Sequence, residues 1–142
     1  MMMKTLKCSG IAFAMLATLA SCSSDAPVGK WDAMVWKAEV PVRATDGVYT
    51  VPEAGAEFTF TCQNYSSPWI ENALSGGNYY FPQDKAGDFH HISAGWFRAE
   101  MSGKRLTVVF EANETAEERL LTLTVTAGDI FHTFRFKQLA NK

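Results

Sequence analysis

The stretch "LLTLTVTAGDIFHTFRFKQ", residues 120–138, decides the fold. Leu121, Leu123, Val125 and Ala127 alternate with Thr122, Thr124 and Thr126, a period of two that belongs to a strand with one buried face. Gly128-Asp129 is hairpin chemistry. Beyond it Ile130, Phe134 and Phe136 lie on one side, with Arg135 and Lys137 on the other. Two such runs joined by a tight turn predict an antiparallel pair.

Working outward, "EFTFTC" places Phe58, Phe60 and Cys62 on one face and Glu57, Thr59 and Thr61 on the other. "RLTVVFE" repeats the pattern with Leu106, Val108 and Phe110, after a Ser102-Gly103 turn. "AMVWKAEV" and "GVYTV" are predicted strands, with Pro52 to Gly55 as a turn. Between Pro68 and Ala94 the pattern breaks up into Gly, Pro, Asn and Asp. "TAEERLL" holds Thr115-x-x-Glu118, the capping-box spacing of a helix start. The long alternation beginning at Leu121 is rich in β-branched residues, which disfavours helix, so the segment reads as a turn. Short strands with turns between them indicate an antiparallel β-sandwich.

The other end of the chain reads differently. Lys4 and Lys7 precede an apolar run, Ile11 to Ala20, about half the roughly 20 residues that cross a bilayer as a helix. A basic head, a short apolar run and small residues describe an export signal. Leu19-Ala20-Ser21-Cys22 resembles the lipobox of bacterial lipoproteins. The resemblance implies cleavage before Cys22 and a triacylated N-terminus. One acyl chain holds a protein weakly and several hold it firmly. The expected organisation is therefore a signal peptide at 1–21, a lipidated tether at 22–30 and one sandwich at 31–142. At about 3.3–3.6 Å per residue, Ser23 to Lys30 reaches at most roughly 25–30 Å.

Removing residues 1–21 takes away Lys4 and Lys7 and shifts the formal net charge from −2 to −4. Nothing basic remains to suggest nucleic acid as a partner. Cys8 leaves with the signal and Cys22 is lipidated, so Cys62 has no partner for an internal disulfide and stability must come from packing.

The C-terminal third, "LTVVFEANETAEERLLTLTVTAGDIFHTFRFKQLA", resembles the end of a BACON domain, the immunoglobulin-like module of Bacteroidetes. The shared pattern is a strand (Leu106 to Glu111), an Asn-containing turn (Asn113), an Arg opening the next strand (Arg119), a Gly turn (Gly128) and a last strand closing on Gln138. "AGAEFTFTCQNYSSPWI" is similar to an earlier strand of that family and the Trp after it. The resemblance covers roughly half the chain and does not extend across Ile70 to Arg105. It implies an immunoglobulin-like antiparallel β-sandwich of about seven to eight strands, in a family named for carbohydrate binding. Arg119 and Gln138 read as strand-end groups that satisfy backbone partners, and Asn113 as a turn residue.

No residue set points to catalysis. His90 and His91, as strand neighbours, would face opposite ways, and no spaced His/Cys/carboxylate set accompanies them. Cys62 alternates with Phe58 and Phe60, where a thiol is inert core filler. No nucleophile elbow, phosphate loop or zinc-protease helix is present. Asn64-Tyr65-Ser66 and Asn113-Glu114-Thr115 match a eukaryotic glycosylation pattern, coincidental beside a bacterial lipobox. We expect no enzyme, no metal and no cofactor.

The aromatics are the remaining lead. Trp36 and Trp69 are expected in the core. Tyr79, Tyr80, Phe81 and Trp96 border the irregular middle, where packing and ligand binding are both open readings. The expected function is a non-catalytic outer-membrane lipoprotein that binds an extracellular glycan or glycoprotein through these residues. The alternative is an assembly lipoprotein docking to a neighbouring outer-membrane protein complex through an edge strand. Replacing Cys22 with Ala should release the protein from washed membranes and abolish its labelling with radioactive palmitate; retention of either signal contradicts the anchor.

Overall fold

In the computed structural model, which describes residues 31–40, 42–82 and 89–142, every regular element is a strand. Residues 1–30, where the signal peptide, the lipidated Cys22 and the tether are expected, lie outside the described residues. In chain order the strands are β1 (Trp36–Ala38), β2 (Ala44–Thr45), β3 (Val48–Val51), β4 (Ala56–Cys62), β5 (Trp69–Ser75) and β6 (Asn78–Tyr80). There follow β7 (His91–Ser93), β8 (Phe97–Ser102), β9 (Arg105–Phe110), β10 (Arg119–Thr126) and β11 (Phe131–Gln138). One sheet runs β1-β4-β9-β8-β7 and the other β2-β3-β11-β10-β5-β6. The runs β1-β4-β9-β8 and β11-β10-β5 reproduce the two strand orders that define the immunoglobulin fold.

The expected all-β sandwich holds, with three differences. First, there are eleven strands, and β1, β2, β6 and β7 have only two or three residues each, too short to display an alternation. Second, the β3–β11 pair is parallel, whereas every other pair is antiparallel. Third, the irregular middle contains the seven-residue strand β5. Its partner register steps from Thr124↔Asn72 to Val125↔Ile70, which leaves Glu71 as the extra residue of a β-bulge. Ile70 and Ala73 consequently both point inward, three apart, and the period of two is lost.

The core is aromatic. Phe60 and Phe134 approach to 4.7 Å between ring centroids, Phe110 and Phe136 to 5.0 Å, and Phe58 and Phe136 to 5.5 Å. These contacts staple the β4–β9 half of one sheet to β11 of the other, with large apolar area buried per side chain. Cys62 is fully buried beside them, and its Sγ lies 3.7 Å from Asn64 Oδ1. Trp36 packs edge-on to Phe134 at 5.3 Å, and its buried indole N–H has no partner among the described residues. His132, 4.6 Å from Phe134, is held below its ordinary pKa by burial, and burial likewise raises Tyr49. Trp69 is half-buried and alternates with Ile70, which takes the core position expected of the tryptophan.

The chain entering β1 is clamped by a side chain. Asn64 Nδ2 donates to the Ala33 carbonyl at 2.8 Å, and Asn64 Oδ1 accepts from the Val35 N–H at 2.9 Å. The Tyr65 hydroxyl adds a 2.6 Å bond to the Asp32 carbonyl. Asn64 thus does for Ala33 to Val35 what a strand residue would do. At the far end of β4, Gly55 has φ +93°, and a Cβ there would sit 2.5 Å from the Phe110 carbonyl oxygen, so no other residue fits that turn.

That same end of the sandwich is closed by polar groups. Gln138 is wholly buried; its Nε2 donates to the carbonyls of Glu111 (2.7 Å) and Pro52 (3.1 Å). Its Oε1 accepts from Arg119 Nη2 (2.7 Å) and Nε (3.1 Å), and Arg119 also donates to the Ala112 carbonyl. Asn113, equally buried, donates to the Glu117 and Leu139 carbonyls and accepts from the Thr115 N–H and hydroxyl. This is the turn expected in "TAEERLL". It also commits both sequon asparagines, since Asn64 and Asn113 use their amides inside the fold. Gln138→Ala empties a wholly buried position and removes a hydrogen-bond partner from two carbonyls and the Arg119 guanidinium, and should cost roughly 2–4 kcal/mol in urea unfolding; a loss below about 0.5 kcal/mol, the usual surface value, would contradict this role.

Candidate functional site

The sequence singles out Tyr79, Tyr80, Phe81 and Trp96, and the strands sort them into two environments. The β5–β6 hairpin turns at Gly76-Gly77, both left-handed (φ 60° and 81°), the geometry of a two-residue turn that matches strand twist. This turn sets Leu74 opposite Tyr79 and Ala73 opposite Tyr80. Ala73 is a core residue, so Tyr80 turns inward and meets Phe97 edge-on at 6.2 Å. Tyr79 and Phe81 are left on the outer face, 61% and 56% exposed, with their rings 6.4 Å apart and inclined by only 23°.

Trp96 belongs with Tyr80. It is half-buried in the connection before β8, 5.4 Å from Phe97 and 5.7 Å from Phe110. The Arg119 guanidinium lies over its ring at 4.7 Å, a cation–π contact held in place by the bonds to Gln138 and Ala112. Burial lowers the Arg119 pKa from its ordinary value, and a guanidinium remains charged at neutral pH. Of the four aromatics the structure therefore brings Tyr79 and Phe81 together on the surface and places Tyr80 and Trp96 against Phe97.

Around the exposed pair the six-stranded sheet offers its outer face in rows. Tyr79, Leu74, Thr122, Arg135 and Val48 are successive cross-strand partners along one row. Asn72, Thr124 and Thr133 form the next, and Trp69, Thr126 and Phe131 a third, in which Thr126 is buried and gives its hydroxyl to the Ile130 carbonyl. Cross-strand partners point to one face and lie close enough to act together. The result is a strip of hydroxyls and an amide with aromatic groups at its margins: Tyr79 and Phe81 on one side, Trp69 and the exposed Phe131 towards one end. The outward threonines were visible in the alternation of β10. Asn72, Leu74 and Trp69 were not, because the bulge at Glu71 hides which way each points.

The remaining candidates lie elsewhere. His91 is in β7 and its Nε2 sits 2.9 Å from Glu100 Oε2 on the exposed face of the five-stranded sheet, with His90 in the turn before it. Among the described residues no group of three or more His, Cys, Asp or Glu side chains is arranged to hold a metal ion.

Fold and surface together define an immunoglobulin-like sandwich with an aromatic-edged outer sheet. A protein from Bacteroides thetaiotaomicron, solved by NMR, is similar at 30% sequence identity and a TM-score of 0.68, over 85% of this chain and 98% of that one. The chain belongs to the same family as this Bacteroides protein. The twitchin kinase region from C. elegans aligns at 11% identity and a TM-score of 0.45, over 78% of this chain and 18% of that one. No protein-family model and no curated protein matches the chain.

The two environments separate under truncation. Tyr80→Ala and Trp96→Ala should each cost about 2–4 kcal/mol in urea unfolding, from lost aromatic packing. Tyr79→Ala and Phe81→Ala should stay within about 1 kcal/mol of the parent; equal losses at all four positions would mean that the exposed pair is packed.

Proposed function

We propose that this protein is a non-catalytic, BACON-like module, lipid-anchored at Cys22 to the outer membrane of a Bacteroidetes-type bacterium, that binds an extracellular glycan or glycoprotein. The observation that carries this reading is the exposed, nearly parallel pair Tyr79 and Phe81 at the margin of the outer sheet. Sugar rings present apolar C–H faces, which favour the negative face of an aromatic ring. Their hydroxyls need donors and acceptors, and Asn72, Thr122, Thr124, Thr133 and Arg135 follow on the next three strands of the same face. Exposing two large aromatics side by side without a ligand gains nothing in stability, and such surfaces mark binding sites. The resemblance of the C-terminal strands to the BACON family and the relationship to a Bacteroides protein support the same reading.

A second reading is assembly, favoured by one observation. The strand β6 ends its sheet, with three residues whose outer side pairs with no strand among the described residues. An edge of this kind accepts a strand from another protein, and here docking would need no sugar.

A glycan array, followed by pull-down on the polysaccharides that score, decides between them. Binding that falls about tenfold or more in Tyr79→Ala and in Phe81→Ala is the expected result, the loss of one stacked ring being worth about 1.4 kcal/mol. Silence across the array, with a stoichiometric protein recovered from detergent-solubilised membranes instead, would replace glycan binding by docking.

A further inference from the structure

The broad face of the other sheet carries a groove of about 430 Å³, a size typical of small-ligand sites. Its floor and walls come from two rows of cross-strand partners on β4, β9, β8 and β7. Glu57, Val109, Arg98 and Ser93 succeed one another along the first row, and Thr107, Glu100 and His91 along the second. At roughly 4.8 Å between strands, four strands span about 14 Å. Val109, an apolar residue, lies between the Glu57 carboxylate and the Arg98 guanidinium in that order. Arg98 and Glu57 have no hydrogen bond or ion pair among the described residues, so a guanidinium fork and a carboxylate face the groove uncommitted. Glu100 differs, being paired with His91 at 2.9 Å.

The chemistry of this lining selects its ligand. An anion brought to Arg98 would also meet Glu57 and Glu100, and a cation brought to either carboxylate would meet Arg98. With two carboxylates and one guanidinium in the lining, an ion of either sign meets a like charge. A neutral ring bearing several hydroxyls suits it better. Carboxylates accept from hydroxyls in pairs and the guanidinium donates two parallel bonds. Ser93 and Thr107 donate or accept as required, and Val109 offers an apolar surface to a C–H face. We propose that this groove is a second saccharide site, taking one neutral pyranose unit, on the sheet opposite the one that carries Tyr79 and Phe81. The proposal extends the reading of the protein as a glycan binder and depends on different residues. Two such surfaces on one small body would let it hold two strands of a polymer, or two points of one chain, with the gain in avidity that linkage brings.

The test is an NMR titration of the full-length protein in a sugar-free detergent. The probes are D-glucose, D-galactose, D-mannose and N-acetylglucosamine, with glucuronate and glucosamine as charged counterparts. The expected result is saturable movement of the Ser93, Arg98 and Glu100 amide signals with at least one neutral sugar. Arg98→Ala and Glu57→Gln should each weaken that binding about tenfold, the loss of one hydrogen-bonded pair, while Tyr79→Ala leaves it unchanged. If no neutral sugar moves these signals, or if glucuronate or glucosamine binds more tightly than every neutral sugar, the proposal is overturned. Groove binding that survives in a protein failing the Tyr79 and Phe81 tests would sink the aromatic-edge reading alone. Aromatic-edge binding with a silent groove would sink this one alone.

Discussion

One buried amide holds the end of this sandwich together. Gln138 is the last residue of the last strand, and a wholly buried primary amide is costly unless each of its donors and acceptors is met. Here they are met by groups from three separate parts of the chain: the Pro52 carbonyl after β3, the Glu111 carbonyl after β9, and the Arg119 fork at the start of β10, itself bonded to the Ala112 carbonyl. The amide can be satisfied only when both sheets are closed in the correct register. A slip of one residue in β11 would turn Gln138 outward and expose Phe134 and Phe136 in the same movement. Polar satisfaction and hydrophobic burial therefore select the same arrangement. The position of Trp96 follows, since the Arg119 that Gln138 holds is the cation lying over its ring.

Much of this was legible in the residues. The strands β4, β9, β10 and β11 each bury one face against a common core, so their alternation survives intact and their inward positions can be read directly. Arg119, Gln138 and Asn113 were legible as structural groups because polar residues at strand ends have few other uses. The strand β5 was not, for a definite reason. Its bulge at Glu71 puts two inward residues three apart, and a reading based on a period of two sees disorder where there is a seven-residue strand. With β5 invisible, the register of β6 could not be known, and with it the direction of each aromatic in "NYYF". The difference between Tyr79 outside and Tyr80 inside is one step along a strand. The sequence contains the two glycines that set that step, but their meaning depends on the strand before them.

The two sheets share one core and present unlike outer faces. One face is a threonine strip with aromatic margins; the other is a groove of opposed charges around a valine. Both are built from residues at rigid strand positions, which favours precise presentation over adaptability. Neither draws on the residues that close the sandwich, so either surface can change without loosening the fold. A family that keeps its Gln138 amide and its phenylalanine core is free to vary what these faces carry, and fold alone is a poor guide to ligand.

The clamp at Asn64 has a mechanical consequence. Its side chain grips two backbone groups two residues apart, just ahead of a strand only three residues long. A pull on the chain ahead of Trp31 does not reach that strand directly. It must first rupture the Tyr65 bond to Asp32 and both bonds to Asn64. Force arriving from the N-terminal side therefore meets three side-chain bonds before the short first strand, which is shielded from tugging that it could not resist alone.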